Sequence, residues 1–257
     1  MNVIMDKSKN ELIIKRRRKK RIKNSILLLL LLISILVTLC LKLDYFNINN
    51  IEVSGNRNIP KNEIIKLSSI ENGNNIFYTN LKKARTNIKS NPYIQSVDIK
   101  RKLPSTLQIN VVERDAYFYG MDPGGRYVVV DNEGVVLEIR KEINNMKLLK
   151  IQGFDFSKAK VSKTLPVDDE RKIKLLGTFA SLLKADKSGL TLSIIDISNL
   201  LDIKMYYGNI CVKLGNSEDI ENKVNKAVNI IIDNKLKDSK GYIDVSYQGN
   251  PVFYIEK

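Results

Sequence analysis

The 257-residue sequence has no histidine and no tryptophan, and only two cysteines and six prolines. Without an imidazole, no His-based catalytic triad and no His-Glu-x-x-His zinc helix can be assembled. Cys40 lies inside an apolar run and Cys211 far along the chain, so they form neither an intrachain disulfide framework nor a cysteine metal cluster. Both read as small hydrophobes. An anchored enzyme could use a Ser-x-x-Lys nucleophile instead, and Ser157–Lys160 and Ser181–Lys184 have that spacing. In so lysine-rich a chain the spacing arises by chance, and no Lys-Thr-Gly follows, since Leu165 succeeds Lys163-Thr164. The acidic run Asp168-Asp169-Glu170 reads as the first turn of a helix, where the dipole favours carboxylates. No catalytic residue, cofactor site or metal site is therefore expected.

What the chain has in excess is positive charge, +15 in all and unevenly placed. Between Met1 and Ser25 ten basic residues face only Asp6 and Glu11. Such a block suits a nucleic-acid arm, but the next residues argue against it and no nucleic-acid partner is expected. Ile26 to Leu41 reads ILLLLLLISILVTLCL, uncharged and bracketed by Lys23 and Lys42. As a helix this run spans about 24 Å. The hydrocarbon layer is about 30 Å thick, a gap that Ser25, Leu43 and the snorkelling lysine stems can close. The preceding basic residues place the N-terminus in the cytoplasm and everything after Leu43 outside. No small-x-small cleavage site follows, Leu39 rather than a small residue precedes Cys40, and the run is not amphipathic. These features set aside a cleaved signal, a lipoprotein signal and a transit peptide in favour of an uncleaved anchor.

The external part divides in two by texture. Phe46 to Val53 reads as a strand, Pro60 to about Ile70 as a helix, and a second helix starts near Thr79 or Asn80. Ile94 to Lys102 and Thr106 to Glu113 alternate as strands. The order β-α-α-β-β makes a small module with two helices on a three-stranded sheet. From Tyr117 onward turns come thickly, with a hairpin at Tyr127–Val130 and Val135–Ile139 and a short strand at Lys147–Ile151. An amphipathic helix follows at Asp168–Ala185, then strands at Leu192–Ile197, Leu201–Tyr207 and Ile210–Leu214. A last helix after Ser217 precedes the closing YIDVSYQGNPVFYIEK. The fold class is α+β: a cytoplasmic tail (1–25), one transmembrane helix (26–43), a small module (44–115) and a larger β-rich domain with an extended sheet and two helices (116–257). Glu113-Arg114 reads as an ion pair on a solvated strand face, worth little to stability.

Taken in order, these residues resemble the bacterial cell-division FtsQ/DivIB family over nearly the whole chain. Ile51-Glu52-Val53-Ser54-Gly55-Asn56, Pro60 and Glu63-Ile64 match its POTRA domain, which the small module is expected to be. The strongest stretch is Asn91-Pro92-Tyr93-Ile94, Val97, Arg101, Pro104, Thr106-Leu107, Ile109, Val111 and Glu113-Arg114. Val130-Asp131 with Gly134, Leu214-Gly215 and Tyr242-Ile243-Asp244 continue the match in the second domain. Two positions depart from the pattern: Asp115-Ala116 replaces a frequent proline, and Ser246 replaces a basic residue in the last strand.

The resemblance implies a non-enzymatic scaffold at the division septum that binds FtsB/DivIC-like and FtsL-like bitopic proteins and helps control septal cell-wall synthases. The runner-up is a POTRA-bearing component of a secretion or envelope assembly system, although those usually carry a β-barrel for which this chain is too short. An exposed strand edge can recruit a partner segment through its unpaired backbone groups. The candidate edge is Tyr242, Ile243, Asp244, Val245, Ser246 and Tyr247. Lys223 and Lys226, facing outward from the preceding helix, either meet an acidic partner or form a solvated helix face. Pro251 cannot donate to a ladder, so the segment beyond it is open between strand and tail.

Overall fold

A computed structural model describes residues 2–144 and 146–256, with side chains from Ile14 onward. Its first element, α1 (Asn2–Lys42), runs unbroken through both the basic stretch and the apolar one. Within it Ile14–Lys42 is long and apolar enough to cross a membrane, the single-pass anchor of the chain. Its described side chains are all exposed except Cys40 and Leu41 in the last turn. A helix apolar on every face and buried on none has lipid as its solvent.

By contact the chain divides into two compact units, one holding the residues up to Ile88, α1 included, with Val97–Val111 and the other holding Lys89–Ser96 with Val112 onward. In the first, β1 (Asn50–Ser54), β2 (Ile94–Lys102) and β3 (Thr106–Glu113) form a sheet in the order β1-β3-β2. Strand β1 runs parallel to β3, placing Ile51 beside Leu107 and Val53 beside Ile109. Two short helices, α2 (Lys61–Ser68) and α3 (Leu81–Ile88), connect β1 to β2. Pro60, extended, caps α2, and the Asn80 side chain accepts the Lys83 N–H at the start of α3. Ile64, Ala84 and Ile88 turn inward to join Ile48, Ile76, Ile99, Leu107 and Ile109 in the core. The expected strand from Phe46 is shorter than its pattern. Asp44–Phe46 is a 3-10 turn, and Phe46 and Ile48 bond to the backbone at Gly73, Asn74 and Ile76 rather than to the sheet.

The second unit is built on nine strands in the order β12-β11-β10-β9-β8-β7-β4-β5-β6. They are β4 (Phe118–Met121), β5 (Tyr127–Val130), β6 (Val136–Arg140), β7 (Leu149–Gln152), β8 (Leu192–Asp196), β9 (Ile203–Tyr207), β10 (Ile210–Gly215), β11 (Gly241–Asp244) and β12 (Val252–Ile255). Two helices, α4 (Arg171–Ala185) and α5 (Ile220–Asp233), lay their buried stripes into the same core as the strands. Strand β4 has no counterpart in the sequence reading, because Gly120 interrupts its pattern. A Cβ there would lie 2.0 Å from the Phe156 ring, so the glycine marks a close approach that only the folded chain reveals. The acidic run before α4 also needs correcting, since the helix begins at Arg171 and the acids precede it. Asp169 accepts the Arg171 N–H at 2.9 Å and pairs with its guanidinium, and Asp168 pairs with the Lys172 ammonium at 2.9 Å.

Candidate protein-binding edge

The last two strands form a hairpin in which Tyr242 faces Tyr254 and Ile243 faces Phe253. On its other side β11 runs parallel to β10, with Cys211 beside Tyr242 and Val212 beside Ile243. Thus β11 is an interior strand with both edges paired, which corrects the expectation that Tyr242 to Tyr247 is the edge. The edge is β12, and the segment after Pro251, open between strand and tail in the sequence, is a paired strand. Proline escapes the ladder because it sits one residue before it.

Hydrogen bonding along the hairpin decides which groups of β12 are free for another strand. Glu256 donates its N–H to the Lys240 carbonyl at 2.8 Å, so that opposed pair is hydrogen-bonded. Antiparallel pairs alternate, so Tyr254 and Val252 also turn their backbone groups toward β11, and Phe253 and Ile255 turn theirs outward. Val252, Phe253 and Tyr254 are each about half exposed. Phe253 shares its sheet face with the fully buried Ile243, so the core face continues to the rim and is left uncovered there. On the opposite face the Lys213 ammonium lies 4.3 Å from the Tyr242 ring centroid, and the Tyr242 and Tyr254 rings are 6.0 Å apart.

The residues expected to bind fall into three groups. Ile243 and Val245 are buried in the core beneath α5 and hold the hairpin in place. Tyr242, Asp244 and Ser246 are half-buried, and Asp244 accepts both the N–H and the hydroxyl of Ser246, a turn that ends β11. Ser246 also explains Gly215, whose φ is +69° and whose Cβ would lie 2.8 Å from that of Ser246. Tyr247 is exposed in the following loop and donates its hydroxyl to the Asn250 carbonyl. A cavity of about 140 Å³ brings Lys223, Lys226, Val245, Ser246 and Tyr247 together. Its two lysines differ: Lys223 is half-buried and bonded to the Asn216 carbonyl and side chain, and Lys226 is exposed. Sequence reasoning misses Val252, Phe253 and Tyr254, whose β-forming residue types are visible but are masked by Pro251 just before them.

The motif residues nearest the start of this unit serve structure. Glu113 is buried rather than solvated. The Arg114 guanidinium turns to Asp131 and Glu133, which corrects the reading of Glu113-Arg114 as an exposed pair. Burial works against the Arg114 charge, but hydrogen bonds to Glu133 and Asp131 outweigh it and raise its pKa. Asp131 is fully buried and also accepts the N–H groups of Glu133 at 2.9 Å and Val135 at 2.8 Å, closing the turn before β6. Tyr93 donates its hydroxyl to Glu138 at 2.8 Å, and burial beside that carboxylate pushes its pKa up.

Comparison with known proteins bears on both parts of the chain. Residues 46–114 match the FtsQ-type POTRA domain, and residues 121–246 match the C-terminal domain of cell division protein FtsQ/DivIB. The second match stops short of β12. A cell division protein DivIB of Clostridium botulinum (strain Hall) is 55% identical over 226 residues, 88% of each chain. That of Clostridium acetobutylicum is 49% identical over 251 residues, 98% of this chain and 100% of the relative. That of Clostridium tetani is 41% identical over 257 residues, 99% of this chain and 97% of the relative.

Proposed function

The chain belongs to the FtsQ/DivIB family of bacterial cell division proteins, and from that premise we propose that it is a non-enzymatic bitopic scaffold of the division septum. Its N-terminus lies in the cytoplasm and both folded units outside. It binds FtsB/DivIC-like and FtsL-like membrane-anchored partners and thereby helps control septal cell-wall synthesis. The observation that carries this reading is the open edge of β12, with the backbone groups of Phe253 and Ile255 and the half-exposed Phe253 ring presented together. A partner strand laid along it gains backbone hydrogen bonds for affinity and covers Phe253 for specificity. Next to the edge the exposed Lys226 offers its charge to an acidic residue of the same partner, beside a cavity that Glu218 and Asp219 also line.

The test is Phe253→Pro beside Phe253→Ala, assayed by bacterial two-hybrid against the FtsB/DivIC-like protein of the same cell. Proline removes an outward N–H that makes no bond within the hairpin, so the fold is expected to survive. Both variants should lose interaction, Pro more than Ala, because Pro removes a ladder bond as well as the ring. If Phe253→Pro binds as well as the wild type, the edge is not the binding surface. A fluorescent fusion that spreads evenly around the envelope of dividing cells, with no enrichment at mid-cell, would sink the septal reading itself.

A further inference from the structure

The last turn of α1 is gripped by a side chain of the folded unit that follows it. Asn75 donates from Nδ2 to the carbonyl of Cys40 at 3.0 Å and to that of Leu41 at 3.3 Å. These belong to the last carbonyls of a helix, which have no partner within it. Asn75 is only 9% exposed, and its two oxygens are engaged as well. Its Oδ1 accepts the Phe77 N–H at 2.9 Å, and its carbonyl accepts the Tyr78 N–H and the Thr79 hydroxyl. Arg101 in β2 braces the same loop by donating to the carbonyls of Ile76 and Thr79. Cys40 and Leu41 are also the two described α1 side chains that are partly buried rather than exposed. The joint between anchor and folded unit is therefore a packed, hydrogen-bonded contact rather than a loose tether.

That joint fixes where the neighbouring aromatic residues sit. Leu41 ends the uncharged run that occupies the bilayer. Along the chain Phe77 is at most about 7 Å from Asn75 and Tyr78 about 11 Å. The polar interfacial layer of a bilayer is roughly 5–8 Å deep on each side. Tyr78 is 68% exposed, Tyr45 65% and Phe77 36%, and Phe46 packs between the Tyr45 and Phe77 rings at centroid distances of 5.3 and 5.4 Å. The amphipathic rings of tyrosine are enriched in just this layer. The exposed Lys42 at the end of α1, with Lys82 and Lys83 in the first turn of α3, adds charge that suits anionic headgroups.

We propose that Asn75 clasps the end of α1 so that Tyr45, Phe77 and Tyr78 insert into the interfacial layer of the leaflet from which α1 emerges, mounting this unit directly on the membrane surface. The proposal needs only the anchor and is independent of any partner at β12. Because the chain has no tryptophan, Tyr78→Trp creates a single reporter. Lys61→Trp is the control, an exposed site at the start of α2 that the chain reaches only after β1, a strand about 13 Å long.

Both full-length proteins are reconstituted into vesicles of phosphatidylglycerol and phosphatidylethanolamine. Quenching of the indole is measured with lipids brominated near the headgroup and with aqueous iodide. Brominated lipid should quench the Tyr78→Trp protein at least about twofold more than the Lys61→Trp protein, and the indole at position 78 should be shielded from iodide. Equal quenching of the two proteins by iodide, with none by brominated lipid, overturns the proposal. Adding Asn75→Ala should bring the Tyr78→Trp signal to the level of the Lys61→Trp control, and unchanged lipid quenching would overturn the clasp. If near-ultraviolet circular dichroism shows that Asn75→Ala does not fold, a short Gly-Ser insertion after Lys42 takes its place. The insertion frees the joint and leaves the folded unit intact, with the same two outcomes.

Discussion

Asp131→Ala removes the acceptor at the centre of the turn before β6, and its cost can be built up from the contacts. The carboxylate is fully buried, with Arg114 and two backbone N–H groups as its donors. Removing one member of a buried ion pair costs about 3–5 kcal/mol when the other is stranded. Arg114 is not stranded, because it retains Glu133 at 2.7 Å and its side chain keeps some exposure. The charge contribution therefore falls below that range, to about 2–3 kcal/mol. The two N–H groups that lose their acceptor add about 1–2 kcal/mol more, discounted because a turn admits water. Asp131→Ala should thus destabilise this unit by about 3–5 kcal/mol. Asp131→Asn keeps an Oδ1 for Glu133 and Val135 but loses the charge, so it should cost about 1–2 kcal/mol less than Ala. Urea unfolding of the detergent-solubilised chain, followed by tyrosine near-ultraviolet circular dichroism, measures both. A cost for Ala below about 1 kcal/mol, or equal costs for Asn and Ala, would refute the reasoning.

Two further outcomes are expected. Lys226→Glu should weaken partner interaction and Lys226→Gln should do so less, with the wild-type interaction falling as salt rises; no response to either variant in a two-hybrid assay would remove Lys226 from the interface. Asp169 is held at a pKa of about 2, below its ordinary 3.8, chiefly by its hydrogen bonds with the Arg171 side chain and backbone. A depressed carboxylate pKa stabilises the fold above the ordinary value, and that contribution is lost as pH falls from about 4 toward 2. Carboxyl-carbon NMR should place the Asp169 midpoint near the lower value and return it toward the ordinary one in Arg171→Ala.

Much of the fold is legible in the sequence wherever the signal is local. Ile94 to Lys102 and Thr106 to Glu113 alternate, and the strands occupy those residues. Asn80 announces α3 by its cap bond to Lys83, and Pro60 announces α2 by its fixed φ just before the first turn. What is not legible depends on contacts between distant residues. Gly120 looks like a break in a strand until Phe156 is seen against it. Arg114 looks like the partner of its neighbour Glu113 until the fold brings Asp131 and Glu133 to it. Asn75 is one of three asparagines between Glu71 and Ile76, and only the end of α1 distinguishes it. Sequence pattern misplaces the candidate edge by one strand for a related reason. It shows β-forming residues on both sides of the turn but leaves the second half open between strand and tail, and which half is paired on both sides depends on β10, joined to β11 only through α5.

The shortness of β12 limits what the edge can do alone. Phe253 and Ile255 each offer one donor and one acceptor outward, about four hydrogen bonds worth roughly 2–6 kcal/mol in total. Bringing two molecules together from solution costs about 4–15 kcal/mol, so these bonds by themselves do not hold a free peptide. Anchoring both chains in one membrane changes the balance, because confinement raises the effective concentration of each at the other without adding a contact. A strand edge this short is suited to partners that already share its bilayer, and it leaves soluble strands of similar sequence largely unbound.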